Sequence, residues 1–284
     1  QGYIDDLEQV KLLSGRSLNS IGFPRPMLAH KYDGKQSVNG HFVQPKLDGH
    51  RCLVAKHDGQ IIAYSRNAKP IFSIEHILAE IEHLEADNIV FDGELYIHGE
   101  KLQKISSLVR KKQPESHNLR YYIYDIVDEN QDFASRLLKL SQIMDAPHLK
   151  FTKLLQTEIC DCNLKMQFDA AIKDGFEGLI IRKPISMYES GKRSKSLLKM
   201  KKFFDAEFKV VEIKKSADGW GIAVCLTKNG NKFSVTAPGT ASDKLMVAEL
   251  QDAYIGCFLT VEYAGLTKDG IPFHPVAKCW RHDV

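Results

Sequence analysis

The first two thirds of the chain alternate short apolar runs with segments whose apolar positions have helical spacing. Apolar runs at 42–47, 51–57 and 60–65 predict strands, and Asp58-Gly59 predicts a tight turn between the second and the third. Apolar residues at helical spacing predict an amphipathic helix at 73–85. The same patterns predict further strands at 89–97, 121–127 and 178–182 and further helices at 133–144 and 163–173. This mixture of elements predicts an α+β domain.

The pattern changes near Asp205, and short strand-like segments dominate from there onward. They predict strands at 206–215, 220–227, 231–237, 255–264 and 275–281, with one helix at about 241–251. Five strands with a helix between the third and the fourth are typical of the small oligonucleotide-binding (OB-fold) barrel, although another small antiparallel barrel fits the same order. We therefore predict two domains, residues 1–204, which begin with a lead-in over 1–25, and residues 205–284.

The bulk composition is that of a soluble globular protein, since 43% of the residues are apolar and 26% are charged. No apolar run approaches the length of a membrane span and no signal peptide is visible, so we expect no membrane association. The six cysteines are scattered, which favours free thiols in a reducing compartment. We expect a cytoplasmic or other intracellular protein and a monomer. Export followed by removal of a leader is the alternative, because the sequence begins at Gln1.

Positive charge is concentrated in two stretches, although the net charge is only +3. The basic residues of these stretches lie at 101–112 and at 192–202. Such runs suit a partner rich in phosphate, and the alternative is that each forms an ordinary solvated surface.

Lys46 is an unusual residue for its position, because it lies in an apolar strand and is followed directly by Leu47, Asp48 and Gly49. A lysine amine is nucleophilic only when it is deprotonated, which at a pKa near 10.4 holds for about one molecule in two thousand at pH 7. Burial in a cleft and neighbouring cations both favour the neutral form. The sequence therefore predicts an activated amine, with a lysine that snorkels at a strand edge as the alternative. The candidate cationic neighbours are Arg51, Arg66, Lys199 and Lys201.

Two acidic positions and a lysine pair accompany this amine in the sequence. Glu94 lies within an apolar strand and Glu177 precedes another, where carboxylates can hold Mg²⁺ against phosphates. Lys199 and Lys201 flank Met200, so on a strand both ammonium groups point to one side, which suits a phosphate. Each feature alone has an ordinary structural explanation, such as a turn, a strand start or a solvated lysine pair.

Together and in this order, the motifs resemble those of ATP-dependent DNA ligases of the covalent nucleotidyltransferase superfamily. The resemblance covers residues 26 to 204, beginning at Pro26-Met27-Leu28-Ala29, and part of the rest. The motifs are Lys46-Leu47-Asp48-Gly49-His50-Arg51, Ser65-Arg66, Phe91-Asp92-Gly93-Glu94, Tyr124-Asp125, Glu177-Gly178-Leu179-Ile180-Ile181-Arg182 and Lys199-Met200-Lys201. The resemblance implies a nucleotidyltransferase (adenylation) domain of antiparallel sheets with helices, followed by an OB-fold barrel.

The resemblance also implies a reaction in three steps, with ATP and Mg²⁺ or Mn²⁺ as cofactors and nicked double-stranded DNA as the partner. Lys46 takes AMP from ATP, the AMP passes to the 5′-phosphate at a nick, and the 3′-hydroxyl then displaces it. The implied roles are ribose or metal contact for Glu94 and Glu177, sugar contact for Arg51, contact with the nick phosphate for Arg66, adenine stacking for Tyr124 and α-phosphate contact for Lys199 and Lys201. Gln44 and Leu47 complete the implied nucleotide site.

The chain departs from the family pattern at two places. Gln44 stands where the family often has an acid that reads the purine amine, and a glutamine amide can accept from adenine or donate to guanine. Near the C-terminus, Phe273 stands where a first basic residue is usual. Arg281 fits the second basic position, and His274 or Lys278 is a candidate substitute for the first. These basic residues are expected to orient the pyrophosphate leaving group.

Three functions remain open at this stage. A DNA ligase is favoured, and an RNA ligase or a capping-type guanylyltransferase would use the same lysine chemistry. A catalytically inert nucleic-acid-binding module is disfavoured, because binding alone does not require Lys46, both glutamates and both lysines.

Overall fold

The structure is a computed structural model that describes residues 23–160 and 163–281. The chain divides between Met200 and Lys201 into two compact units. The predicted lead-in over 1–25 lies outside the described residues as far as residue 22. In the part of the chain that is described, no helix is long and apolar enough to cross a membrane. The described cysteines, at 52, 160, 225, 257 and 279, are free thiols.

The first unit contains two mixed sheets with helices around them. Its helices are α1 Glu75–Glu82, α2 Leu102–Arg110, α3 Phe133–Ile143 and α4 Leu164–Lys173, with a 3-10 helix at Pro114–Asn118. Its strands are β1 Leu28–Lys31, β2 Phe42–Lys46, β3 His50–His57, β4 Gln60–Ser65, β5 Ile89–Tyr96, β6 Arg120–Ile126, β7 Thr152–Leu154, β8 Glu158–Ile159, β9 Gly178–Arg182 and β10 Arg193–Lys201. Over the described residues, one sheet has the strand order β4-β3-β5-β6-β7 and the other β1-β10-β9-β2-β8.

The first of these sheets is covered on both faces, which explains why its strands read as continuous apolar runs. Alternate residues of β3 enter two different cores. Cys52 and Val54 pack with the apolar faces of α1 and α2, whereas Leu53 and Ala55 pack with Met27, from the segment before β1, and with residues of the second sheet. The apolar run at 51–57 thus belongs to a central strand buried from both sides.

The second unit is an antiparallel barrel. Its strands are β11 Phe204–Lys215, β12 Gly221–Leu226, β13 Lys232–Thr236, β14 Phe258–Tyr263, β15 Gly265–Leu266, β16 Pro272–Phe273 and β17 Val276–Arg281, and its helices are α5 Ala241–Glu249 and α6 Gln251–Tyr254. In the described residues, β13-β12-β11-β14-β17 form one sheet whose outer strands, β13 and β17, approach each other. Because α5 lies between β13 and β14 in the sequence, the predicted OB-fold order is confirmed.

Several elements were not predicted from the sequence. Residues 101–112 were interpreted only as a basic stretch, but they contain α2, which buries Ile105, Leu108 and Val109. The short strands β1, β7 and β8 and the hairpin formed by β15 and β16 were also missed. Strands of two to four residues carry too few positions to reveal a period.

Candidate active site

A cleft of about 240 Å³ lies in the first unit, and it brings together most of the predicted nucleotide-binding residues. The predicted residues that line it are Gln44, Lys46, Leu47, Arg51, Arg66, Glu94, Tyr124 and Lys199. These residues lie in β2, β3, β5, β6 and β10 or directly follow β2 and β4, so only the folded sheets bring them to one place.

Lys46 is the last residue of β2, and strand pairing places an acid beside it. Lys46 pairs with Gly178 across the antiparallel β2–β9 ladder, and the amide of Glu177 donates to the Lys46 carbonyl at 3.0 Å. The Lys46 ammonium forms an ion pair with Glu177 Oε2 and donates to the Leu47 carbonyl oxygen at 3.3 Å. The Lys46 side chain is only 18% exposed. The amine therefore lies in the cleft against a carboxylate.

The sequence did not predict the carboxylate of Glu177 as the direct partner of Lys46. Cations were predicted as the neighbours of Lys46, and Arg51, Arg66 and Lys199 do line the same cleft. The direct partner, however, is the anion of Glu177. An amine held this way needs an acceptor for its proton before it can attack, and Glu177 is in position to be that acceptor.

A glycine after Lys46 is required because two strands approach closely there. Arg51 pairs with Glu94 across the β3–β5 ladder, which brings the Gly49 backbone against β5. A Cβ added at Gly49 would lie 2.5 Å from the carbonyl oxygen of Leu95 and 2.7 Å from Cγ of Glu94. The glycine thus permits Lys46 and Glu94 to share one cleft.

Arg51 is fixed by a buried carboxylate. Its Nε donates to Asp92 Oδ1 at 2.6 Å, one of its terminal nitrogens pairs with Asp92 Oδ2, and Asp92 is fully buried. The hydroxyl of Tyr188 donates to the same carboxylate at 2.7 Å and accepts from the amide of Met27 at 3.1 Å. Although burial alone would lower the pKa of Arg51, the Asp92 carboxylate raises this pKa well above its usual value. Arg51 is therefore a permanent, oriented cation at the cleft.

Glu94 faces the cleft from β5, opposite Arg51. Burial raises the pKa of its carboxyl group to about 7, although the charges of Arg51 and Lys46 act in the other direction. The hydroxyl of Tyr124 donates to Glu94 Oε2 at 3.3 Å and to the Gly93 carbonyl oxygen at 3.2 Å. The ring of Tyr124 is thereby held at the cleft, with the Arg51 guanidinium 5.0 Å from its centroid.

Gln44 is the most buried of the predicted polar residues, at 1% exposure. Its Oε1 accepts from Arg182 Nε at 2.7 Å, and its Nε2 donates to Thr157 Oγ1 at 2.9 Å and to the Tyr124 carbonyl oxygen at 3.3 Å. Arg182 donates in turn to the fully buried Asp125 at 2.8 Å.

The lysine pair lies at the end of β10. Met200 packs against buried apolar residues, so Lys199 and Lys201 project from the opposite face of the strand. Lys199 lines the cleft, whereas Lys201 is not among its lining residues within the described chain and is the first residue of the second unit.

A wider groove of about 740 Å³ adjoins this cleft, because Arg51 and Arg66 line both. Its cationic lining residues are Arg51, Arg66, Lys69, Arg110 and Lys112. Glu75 is an acid in this lining, and it forms an ion pair with Lys112 at 2.6 Å. Phe72 also lines the groove and is 58% exposed, which is unusual for a large aromatic side chain. The groove thus combines positive charge with an exposed ring.

Lys278 and Arg281 both lie on β17 of the barrel, and each is paired with an acid of that unit. Lys278 forms an ion pair with Glu262 at 2.9 Å. The Nε of Arg281 lies 3.2 Å from Glu207 and donates to Thr260 Oγ1 at 3.1 Å. Phe273 in β16 is 46% exposed and contacts the ring of His274.

The carboxylates near Lys46 suit a divalent cation only when a bound phosphate group supplies further oxygen ligands. Among the described residues, no group of three or more His, Cys, Asp or Glu side chains is arranged to hold a metal ion. Mg²⁺ usually takes one or two protein carboxylates and completes its shell with phosphate oxygens and water. Glu94, which lines the cleft, and Glu177, which pairs with Lys46, fit that limited contribution.

Sequence reasoning missed several residues that position the site. Asp92, Asp125 and Arg182 lay inside the quoted motifs, but no role was assigned to them. Arg136 and Tyr188 lie outside the quoted motifs, and the contact of Tyr188 with Asp92 joins residues 96 positions apart.

Comparisons with known proteins show the family to which the chain belongs. The family model of the ATP-dependent DNA ligase domain matches residues 26–201. The DNA ligase of African swine fever virus is 30% identical over 270 residues, which cover 85% of this chain and 64% of the viral protein. The chain therefore spans less than two thirds of the length of that relative. A DNA ligase-like protein from the SPbeta prophage of Bacillus subtilis is 26% identical over 183 residues, covering 63% of this chain and 67% of that protein.

A solved structure has the same two-domain fold. It belongs to a Lig E DNA ligase, described as binding DNA with a minimal scaffold. The TM-score is 0.75 at 24% identity, and the match covers 90% of this chain and 99% of that one. At this identity the likeness shows the fold, an adenylation domain followed by an OB-fold domain.

Proposed function

We propose that this chain, which belongs to the family of ATP-dependent DNA ligases, seals nicks in duplex DNA by joining a 3′-hydroxyl to a 5′-phosphate. The observation that carries the proposal is the Lys46 amine, held against Glu177 inside the cleft that Arg51, Glu94 and Tyr124 also line. Binding of nucleic acid alone gives no reason for a sequestered amine paired with a proton acceptor.

In the first step, the Nζ atom of Lys46 attacks the α-phosphorus of ATP. A phosphorus–nitrogen bond forms, the bond to the β-phosphate oxygen breaks, and pyrophosphate leaves. Glu177 Oε2, the hydrogen-bond partner of the Lys46 ammonium, takes one proton before the attack, and a second proton passes from the nitrogen to solvent as the phosphorus–nitrogen bond forms. The reaction is a phosphoryl-type transfer, so positioning and charge stabilisation supply most of the rate enhancement.

The other lining residues would hold the nucleotide. Tyr124 stacks on the base, Gln44 reads its edge, and Arg51 and Glu94 contact the ribose. Lys199 contacts the α-phosphate, and Lys201 joins it. When bound, Mg²⁺ or Mn²⁺ would neutralise phosphate charge, and Glu94 and Glu177 would hold it, Glu177 through the carboxylate oxygen that does not face Lys46.

In the second step an oxygen of the 5′-phosphate at the nick attacks the phosphorus of the lysine-bound AMP, and the lysine nitrogen departs. In the third, the 3′-hydroxyl oxygen attacks the 5′-phosphate phosphorus and gives its proton to solvent, the bond from that phosphorus to the AMP oxygen breaks, and AMP leaves a continuous strand. Arg66 is suited to bind the nick phosphate because it lines both the cleft and the wider groove. The cations of that groove, together with the basic residues at 192–202, would bind the DNA backbone.

The barrel has a proposed part in the first step and in DNA binding. Arg281 and Lys278 would orient the pyrophosphate, which requires them to exchange Glu207 and Glu262 for phosphate oxygens. We take 1–204 and 205–284 as the functional domains, acting as a monomer inside the cell.

Covalent labelling tests this proposal. The protein is incubated with Mg²⁺ and α-labelled ATP and then denatured, and the bound label is counted. A nicked duplex of DNA or of RNA is added in a parallel reaction, and sealing is followed on a denaturing gel. We expect label from ATP and sealing of the DNA nick.

Two variants sharpen the result. Lys46→Ala removes the nucleophile, so it should take up no label and yet seal nicks that are already adenylated at a reduced rate. Lys139→Ala, an exposed lysine on α3, is the matched control and should label as the wild type does. Label from GTP alone, sealing only of RNA, or normal labelling of Lys46→Ala would contradict the proposal.

A further inference from the structure

We propose that Arg182 and Thr157 are positioning residues that hold the Gln44 amide as a pure hydrogen-bond acceptor, so that the cleft selects a purine with a 6-amino group over one with a 6-oxo group. The idea rests on the proposed nucleotide transfer and addresses the open question of base choice. Gln44, Tyr124 and Arg182 all line the cleft. The amide therefore lies where the edge of a stacked base would come.

The orientation of the Gln44 amide is set from one side by a residue that can only donate. Arg182 Nε lies 2.7 Å from Gln44 Oε1. Guanidinium nitrogens carry hydrogens and accept none, so the atom facing Arg182 has to be the amide oxygen. A flipped amide would place its NH₂ group against the N–H of Arg182. Leaving both donors unpaired at a site with 1% exposure is strongly unfavourable.

Arg182 itself cannot turn away from Gln44. Its Nη1 donates to Asp125 Oδ2 at 2.8 Å, and Arg136 holds the same carboxylate through Nε at 2.7 Å and Nη2 at 3.1 Å. All three side chains are at most 5% exposed. The bidentate pair with Arg136 fixes the Asp125 carboxylate. Arg182 is then held at two atoms, Nη1 by Asp125 and Nε by Gln44, so the donor that faces Gln44 has little freedom to rotate.

The other end of the amide is fixed by acceptors. Nε2 of Gln44 donates to Thr157 Oγ1 at 2.9 Å and to the Tyr124 carbonyl oxygen at 3.3 Å. The hydroxyl of Thr157 donates onward to the Leu155 carbonyl oxygen at 3.1 Å. The hydrogen bonds therefore run one way, from Arg182 through Gln44 and Thr157 to Leu155.

The direction of these hydrogen bonds determines which group of Gln44 remains to bind a base. Both N–H groups of the amide are engaged by described residues, whereas Oε1 has used one of its two lone pairs. An adenine amino group can donate to the remaining lone pair. The 6-oxygen of guanine or hypoxanthine would meet an acceptor instead. We expect the cleft to favour a 6-amino purine by about 10²-fold or more.

The test measures the rate of covalent labelling with α-labelled ATP, GTP and ITP under the same Mg²⁺ conditions. ITP separates the 6-position from the 2-amino group of guanine. The wild type should label faster from ATP than from ITP by about 10²-fold, with GTP close to ITP.

Variants then probe the two positioning residues. Thr157→Val keeps the volume and removes the acceptor for one N–H of Gln44, which frees a donor for a 6-oxo group. Its ratio of ATP to ITP rates should fall at least 10-fold. Arg182→Met should lower the same ratio, because it removes the donor that faces Gln44 Oε1. If Arg182→Met does not fold, the ratio measured for Thr157→Val alone tests the proposal.

Two further variants act as controls. Gln44→Glu keeps an acceptor at this position and should retain the preference for ATP. Thr236→Val makes the same replacement as Thr157→Val at an exposed site on β13, and it should leave the ratio unchanged.

Equal labelling from ATP and ITP by the wild type would overturn the inference, and so would a ratio in Thr157→Val within 2-fold of the wild-type ratio. A ratio that falls in Gln44→Glu as far as in Thr157→Val would also overturn it. Absence of label from every nucleotide would instead overturn the proposed function. The two failures can therefore be told apart.

Discussion

Asp92→Asn should destabilise the first unit through a single buried charge. Asp92 is fully buried and accepts hydrogen bonds from Arg51 Nε at 2.6 Å and from the Tyr188 hydroxyl at 2.7 Å. The asparagine keeps the shape of the side chain but removes the negative charge and turns an NH₂ group toward donors. Arg51 is then left as a cation without its counter-ion.

The size of the effect follows from these contacts. Removing one partner of a buried ion pair costs about 3–5 kcal/mol. The Arg51 side chain is 23% exposed, so water in the cleft can recover part of this, and we expect about 3 kcal/mol. For a unit of this size, that corresponds to a decrease in Tm of roughly 6–12 °C.

Thermal unfolding followed by far-UV circular dichroism or calorimetry measures this change. The matched control is Asp169→Asn, which breaks an exposed ion pair with Lys165 and should cost less than about 0.5 kcal/mol. Tyr188→Phe should have an intermediate effect of about 1–2 kcal/mol, because the ion pair survives. If Asp92→Asn unfolded within about 2 °C of the control, the buried pair would not be a main stabilising contact and the reasoning would fail.

Three more substitutions test separate contacts. Lys56→Met should lower the free energy of unfolding in urea by about 1–3 kcal/mol, because the buried ammonium of Lys56 donates to carbonyls at the end of α1; an unchanged midpoint would contradict this. Glu80→Gln should lose about 1 kcal/mol at neutral pH. Burial opposes ionisation of Glu80, but hydrogen bonds from the backbone N–H groups of 150–152 outweigh burial and hold the pKa of Glu80 below 4.5. The stabilising effect of Glu80 is therefore complete above pH 4.5 and is lost as the pH falls through the lowered pKa. The difference between Glu80→Gln and the wild type should therefore shrink in acid, and a constant difference would refute the assignment. Gly49→Ala should slow covalent labelling at least 10-fold, since its methyl group would meet the Leu95 carbonyl; wild-type labelling would show that the backbone can move aside.

Two lysines in apolar strands show what can and cannot be predicted from the sequence. Lys46 was predicted as functional because the motifs that follow it come in the order of a known family, and the structure places it in a cleft against Glu177. Lys56 is also buried in an apolar strand, but it caps the carbonyls that end α1, about 25 residues later in the chain. No local pattern distinguishes a cap of this kind from a reactive amine. The motif order, rather than the buried lysine itself, carried the prediction.

Most of the long elements followed the apolar periods, but α2 and the nine-residue strand β10 lie in stretches that were interpreted only as basic. The helix α2 was not predicted because its residues were interpreted by their charge alone, although the spacing of Ile105, Leu108 and Val109 is helical. The site was predicted at the level of its motifs, and its geometry was not. Arg182 lies 57 residues from Asp125, so the fold of the first unit brings these two together, and Arg136 contacts the same carboxylate from α3. The orientation of the Gln44 amide depends on those pairs, and it was therefore left open at the sequence level.

Mapping the covalent nucleotide is the most direct test of the central claim. The protein is labelled with ATP and Mg²⁺, digested under conditions that preserve a phosphorus–nitrogen bond, and analysed by tandem mass spectrometry. The account predicts AMP on the side-chain nitrogen of Lys46, in a linkage that is labile in acid. An adenylate on any other residue, or a protein that seals nicks without ever carrying one, would contradict it.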